Sequence, residues 1–136
     1  MTKTIYIAAA LLIGSDGRTL LVRKRGTQAF MQPGGKIEPS ERPVDALARE
    51  LLEELNLHID PLAASYLGQF SAPAANEPGF EVKCELFQVT IAEAVEPAAE
   101  IEEVVWVDQH SHAQLALAPL TRDFILPIYL QSGLNA

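Results

Sequence analysis

Residues Gly34 to Leu57 read GGKIEPSERPVDALARELLEELNL, a Gly-Gly turn running into a segment that carries Arg49, Glu50, Glu53 and Glu54. The apolar spacing predicts a helix. At about 100° per residue, Val44, Leu47, Leu51, Leu55 and the more lateral Leu52 form one apolar arc. The same wheel is read as gathering Glu50, Glu53 and Glu54 on the opposite side. Glu50 and Glu54 are one turn apart, where like charges repel, and no Lys or Arg occupies an i+4 position to neutralise them. One reading is a solvated acidic face. The other is a site for a hard divalent cation: Mg²⁺ and Mn²⁺ take oxygen ligands and are held by a few carboxylates together with water and phosphate oxygens.

The residues flanking this cluster favour the second reading. The segment resembles the signature of the Nudix hydrolases, G(x5)E(x7)REU(x)EE(x)GU with U aliphatic. Gly35 matches the opening glycine, Glu41 the first acid, Arg49 and Glu50 the central pair, Leu51 the aliphatic position, Glu53 and Glu54 the acidic pair, and Leu57 the final aliphatic. Asn56 replaces the last glycine. A helix C-terminal residue in the left-handed conformation is expected there, and Asn is the next most tolerant residue after Gly.

The resemblance implies an α/β/α sandwich with a mixed central β-sheet, and the signature helix packed on that sheet. It implies that Glu50, Glu54 and the Gly34 carbonyl hold a divalent metal, Mg²⁺ or alternatively Mn²⁺. Glu53 would bind a second metal or position the attacking water. Glu41 would support the loop before the helix by pairing with Arg49, whose guanidinium can hold carboxylates in a fork and orient the Glu cluster. Family members also carry an acid a few residues before a tryptophan, serving as a further metal ligand or general base. In the stretch Glu100 to Asp108, EIEEVVWVD, Glu100 is the first candidate and Glu103 the second.

Composition agrees with an enzyme of this kind. The chain has 136 residues, one domain long enough to bury a core. Its net charge of −8 argues against nucleic-acid binding through a broad basic surface, yet leaves room for an anionic nucleotide where metal and local cations reverse the sign. The single Cys84 rules out an internal disulfide and suits a reducing cytoplasm. The apolar run Ile5 to Ile13 reads as a buried strand rather than a signal peptide, and is too short to span a bilayer. No membrane partner is expected.

Outward from the signature, strands are expected at Ile5–Ile13 and Thr19–Arg25 as a hairpin about Gly14-Ser15-Asp16-Gly17. Strand alternation places Arg23 and Arg25 on one face and Lys24 on the other, so Arg23 and Arg25 are candidate phosphate ligands, as a basic residue near here often is in the family. Lys36 is a further candidate. Ser40 is the expected helix N-cap, with Glu41 in the first turn and Pro43 close behind. Strands are expected at Ser65–Ala72 and Phe80–Ile91, joined by the loop Pro73 to Gly79. Phe70 or Phe80 is a candidate for stacking on a base, and Asn76 with Glu77 for reading a base edge or ribose. Leu117 to Leu130 predicts a final helix that Pro127 kinks or shortens. By resemblance, a polar residue at its start, Thr121 or Asp123, contacts the base. His58, His110 and His112 lack zinc spacing and read as surface residues.

These readings converge on metal-dependent hydrolysis of a diphosphate linkage in a small nucleotide. A nucleoside triphosphate, standard or oxidised, cleaved to monophosphate and pyrophosphate is the first choice. ADP-ribose or a nucleotide sugar is the second, since Pro73 lies where ADP-ribose-cleaving relatives carry a proline. A non-catalytic nucleotide-binding module is the alternative of another class, and the intact acids weigh against it. Many family members form homodimers, which the resemblance carries here as a candidate assembly.

Overall fold

The computed structural model describes residues 3–111 and 114–132. His112 lies outside the described residues. Strands β1 (Lys3–Ile13) and β2 (Thr19–Lys24) are followed by a short β3 (Gly34–Lys36) and helix α1 (Pro43–Leu55). Strands β4 (Ser65–Pro73), β5 (Phe80–Thr90) and β6 (Ile101–Val107) precede a π-helical turn at Thr121–Ile125 and helix α2 (Leu126–Gln131). The sheet runs β4-β5-β1-β2-β6, with β3 also on β1. It is mixed because β1 and β5 are parallel along their whole length while the other pairs are antiparallel.

Alternation along β1 builds two cores. Ala8, Ala10 and Leu12 face α1 through Ala46, Leu47, Leu51 and Leu55, whereas Ala9, Leu11 and Ile13 face Ile125, Leu126 and Tyr129. The result is the expected α/β/α sandwich, with α1 on one face and the C-terminal helical segment on the other.

The sheet is parted at the point that matters for function. β1 and β2 share only the Ile13–Thr19 register. Residues 30–36 wedge between the rest of the two strands: Met31 pairs with Val22 on one side, and β3 pairs with Ile7, Ala8 and Ala9 on the other. Gly34 is required at this crossing. Its φ is +149°, and a Cβ would overlap the Ala8 carbonyl and come within 2.7 Å of Ala9 Cα.

Two expectations about α1 need correction. Ser40 does not cap it; Ser40 sits in the preceding turn at φ 66°, and the N-cap is Arg42, with Pro43 opening the helix and no side-chain cap. Glu41 therefore precedes the helix rather than lying in its first turn. Second, Glu54 does not share the side opposite the apolar arc, since it is 3 % exposed. Seven residues are nearly two whole turns, so Glu54 lies about 20° from Leu47 on the wheel and enters the sheet-facing side. Leu52, in the lateral position, is 41 % exposed. At the other end Asn56 is left-handed, φ 52° and ψ 37°, and the Leu57 amide donates to the Leu51 carbonyl. That closure is the one expected for a glycine substitute.

The C-terminal helix absorbs Pro127 differently from a kink. Pro127 has no N–H to donate and its ring crowds the preceding turn. The helix widens ahead of it into the π-turn, where the Leu126 amide reaches back to the Thr121 carbonyl. The hairpin strand β2 also ends one residue earlier than expected, with a register shift between Arg23 and Lys24.

Candidate active site

The Gly-Gly turn and α1 meet at two carboxylates. The Gly34 amide donates to Glu54 Oε1 at 3.3 Å. Gly35 is pressed against Glu50: a Cβ at Gly35 would lie 2.6 Å from each carboxylate oxygen. Gly35 therefore leaves space that Glu50 fills, while Gly34 meets Glu54 through its amide. Gly35→Ala is expected to keep the fold, because the flexible end of Glu50 can swing aside. Displacing that carboxylate should lower turnover about 10²-fold, measured by steady-state kinetics beside a thermal melt that changes little.

Arg49 braces the loop as expected. Its Nε donates to Glu41 Oε2 at 3.0 Å and its Nη2 to Glu41 Oε1 at 2.9 Å, a two-pronged pair. The same guanidinium donates to the Lys36 carbonyl at 3.0 Å and to Glu50 Oε1 at 3.2 Å. One side chain thereby ties together β3, the turn before α1 and the helix. The Arg49 guanidinium, with the Glu38 amide second, holds the Glu41 carboxyl down at about 2, and Glu41 in turn pushes Arg49 above its ordinary value.

The two acids inside this frame shift the opposite way. Burial, then the charge of Glu53, pushes Glu50 up, against the pull of Arg49. Burial pushes Glu54 up to about 7; Lys24 and the Gly34 amide oppose it, while Glu50 and Glu100 add to it. Among the described residues Glu54 makes no ion pair, and no three His, Cys, Asp or Glu side chains are already gathered as a metal shell. Two crowded carboxylates at the Gly34-Gly35 turn are nevertheless hard-oxygen donors suited to Mg²⁺ or Mn²⁺, and a cation there would offset both the burial and the repulsion. Glu53, exposed on α1, adds its charge to the same corner.

Glu100 reaches this corner from another element. The Ala98 amide donates to the Glu54 carbonyl, and the Arg25 amide to the Glu100 carbonyl, which pins the segment before β6 against the end of α1. Glu100 Oε1 lies 3.3 Å from Lys24 Nζ. Glu103 and Glu102 are engaged elsewhere, with Arg23 at 3.1 Å and Arg25 at 3.4 Å.

The strand-end cations divide between the two faces as alternation says, but the face that meets the acids is the one with Lys24. Leu20 and Val22 pack on the α1 side and Lys24 continues that face, so Lys24, not Arg23 or Arg25, faces the acids and lines the cleft beside Gly34 and Gly35. Arg25 is largely exposed. Lys36 and Asn76 line that same cleft with Glu77. Thr121 is 1 % exposed and lines an adjoining apolar cleft. Phe70 and Asp123 are not brought to either: Phe70 packs on Phe124 with ring centroids 6.2 Å apart, and Asp123 pairs with Arg122 at 2.8 Å. Phe80 lies under the Lys3 ammonium. His58 and His110 are exposed, as expected.

The two clefts are continuous. Five residues, Ile7, Met31, Gln32, Ala75 and Val82, line both. The apolar end lies between the sheet and the start of the C-terminal helical segment, and the polar end opens at the Gly-Gly turn and its lysines. Sequence reading missed Lys24, because alternation separates it from Arg23 and Arg25 without saying which face of β2 meets the acids. It also missed Gln32, whose signal was a lone amide in the apolar run before Pro33.

The family model for the NUDIX domain matches residues 3–126. The chain is 31 % identical over 122 residues to the CTP pyrophosphohydrolase of Escherichia coli, covering 86 % of this chain and 85 % of that protein. A local match to the RNA pyrophosphohydrolase of Halorhodospira halophila has 43 % identity over 47 residues, 35 % of this chain and 26 % of that protein. The chain thus spans about a quarter of the length of that relative. Among solved structures, the E. coli ORF135 protein superposes with a TM-score of 0.73 at 25 % identity, covering 97 % of this chain and 94 % of that one. A MutT Nudix hydrolase from Burkholderia pseudomallei shares the fold, with a TM-score of 0.72 at 20 % identity over 95 % of this chain and 97 % of that one.

Proposed function

The chain belongs to the Nudix family, and from that membership we propose that it hydrolyses a nucleoside triphosphate to the monophosphate and pyrophosphate with the help of a divalent cation. The observation that carries this reading is the continuous cleft. Its apolar end suits a base, and its other end brings Lys24, Lys36 and the Gly34-Gly35 turn beside Glu50 and Glu54.

Glu50, Glu54 and the Gly34 carbonyl would hold Mg²⁺ or Mn²⁺, with Glu53 and Glu100 at the edge of the same corner. When bound, such a cation neutralises charge on phosphate oxygens and lowers the pKa of a bound water. The chain supplies the remaining work. Lys24 and Lys36 draw the phosphates to the turn, Arg49 with Glu41 fixes the Glu50 carboxylate, and Glu53 or Glu100 orients the attacking water and takes its proton. Among the described residues, the Ser, His and Cys side chains form no nucleophilic grouping with a base. Cys84 is buried, and burial pushes its thiol up to about 12.

The triphosphate is preferred because a CTP pyrophosphohydrolase is a relative matched over most of both chains. One observation favours a second substrate, ADP-ribose or a nucleotide sugar: Pro73 lines the apolar cleft. The test is product analysis with Mg²⁺, across standard and oxidised nucleoside triphosphates, ADP-ribose, nucleotide sugars and dinucleoside polyphosphates. Pyrophosphate release at kcat/KM of about 10⁴ M⁻¹s⁻¹ or above from a triphosphate is the expected result. Turnover of ADP-ribose alone would replace it with the second reading. Nucleotide binding without any turnover would leave a binding module.

A further inference from the structure

Among the described residues, Gln32 Nε2 is the one buried side-chain nitrogen or oxygen without a hydrogen-bond partner. Gln32 itself is 6 % exposed. An unpaired buried donor costs about 1–3 kcal/mol, so a fold that keeps one at the wall of a cleft has a reason to be sought there. The cleft is the junction already described: Gln32 lines both its apolar and its polar portions.

The amide is also held in one orientation. The Thr121 hydroxyl donates to Gln32 Oε1 at 2.7 Å, which engages the acceptor end and leaves the two hydrogens of Nε2 without a partner. Thr121 is 1 % exposed and belongs to the π-turn, so its hydroxyl is fixed by the helix. The neighbouring walls, Ile7, Ala9, Val82, Ala118 and Leu120, offer a base apolar contact and no competing side-chain acceptor.

We propose that Gln32 is a specificity residue that donates from Nε2 to a carbonyl oxygen on the edge of the bound base, with Thr121 as the positioning residue that sets the amide's direction. The substrate class that follows is a nucleotide with an oxo-bearing base, such as guanine, uracil or an oxidised purine, in preference to adenine. This deepens the triphosphate reading and rests on it for the base end of the cleft, but not for the chemistry. Thr121 thereby acts on the base through Gln32 instead of touching it.

Calorimetric binding of nucleoside monophosphates tests this without requiring turnover. The panel is GMP and UMP against AMP and the 2-aminopurine ribonucleotide, which is GMP without its carbonyl oxygen, each titrated into wild type, Gln32→Leu and Thr121→Val. In wild type at least one oxo nucleotide should bind about tenfold or more tightly than the nucleotides without the carbonyl. In Gln32→Leu that ratio should fall towards one through loss of the tight binder, with the weak binders unchanged. Thr121→Val frees the amide to turn and should lower the ratio while leaving Gln32 in place. Equal binding of all four by wild type, or a ratio that survives in Gln32→Leu, overturns the assignment. Oxo-selective binding by a protein that hydrolyses no triphosphate would instead overturn the catalytic reading alone.

Discussion

Glu54→Gln should lose turnover and gain stability in the same molecule. The loss should be about 10²–10³-fold in kcat/KM, because a cation's stabilisation of a phosphoryl transition state amounts to several kcal/mol. The gain follows from the carboxylate's setting. Glu54 is 3 % exposed and raised by burial from 4.5 to about 7 in the folded protein. Below 4.5 the group is neutral in both states and costs nothing. As pH rises towards about 7 the unfolded chain ionises freely while the folded chain resists, so metal-free stability falls across that window and levels off above it. The whole shift corresponds to about 3 kcal/mol. Glu54→Gln removes this slope, and at pH 8 in chelator it should melt several degrees above wild type. Melting curves from pH 4 to 9 with chelator check the stability half, and a variant as pH-dependent as wild type would contradict it. Added Mg²⁺ should reverse the order, stabilising wild type and not the variant.

Arg49→Lys should be nearly as damaging to catalysis despite keeping the charge. The guanidinium makes four contacts at 2.9–3.2 Å, with Glu41 twice, the Lys36 carbonyl and Glu50, and an ammonium cannot span that fork. Positioning partners of a metal site are typically worth 10–100-fold. The expected result is a fall of that size in kcat, with KM for the nucleotide little changed. The Mg²⁺ concentration for half-maximal activity should rise about tenfold. A merely structural arginine would lower the melting temperature without moving that Mg²⁺ requirement, so the metal titration distinguishes the two roles.

The parts of this site that were legible in the sequence are those written by local rules. The Glu41–Arg49 pair and the left-handed Asn56 lie within one turn-helix segment and were expected from the resemblance that segment carries. The α/β/α sandwich followed from the resemblance that this segment carries, and β1 then shows why it forms, with alternate residues feeding two cores. Glu54's burial was also written locally, in its seven-residue offset from Leu47, but an acid among acids was read as solvent-facing by its chemistry and not by its angle.

What was not legible came from contacts distant in sequence. Lys24 faces the acids because Leu20, Val22 and Lys24 share the side of β2 on which α1 packs, and alternation alone does not say which side that is. Gln32 matters because Thr121, 89 residues later, takes its oxygen. Arg23 and Arg25, the latter slightly ahead, looked fit to bind phosphate until Glu103 and Glu102 were seen to engage them. Asp123 was discounted by its own neighbour, Arg122.

The central claim is that the Gly34 carbonyl, Glu50 and Glu54 form a divalent-cation site. Mn²⁺ binding followed by electron paramagnetic resonance tests it most directly, on wild type and on the double variant Glu50→Gln, Glu54→Gln, with circular dichroism to verify that both are folded. Saturable binding that Mg²⁺ displaces in wild type, weakened about 10²-fold in the folded double variant, is the result predicted. Equal Mn²⁺ affinity in the two proteins would contradict it.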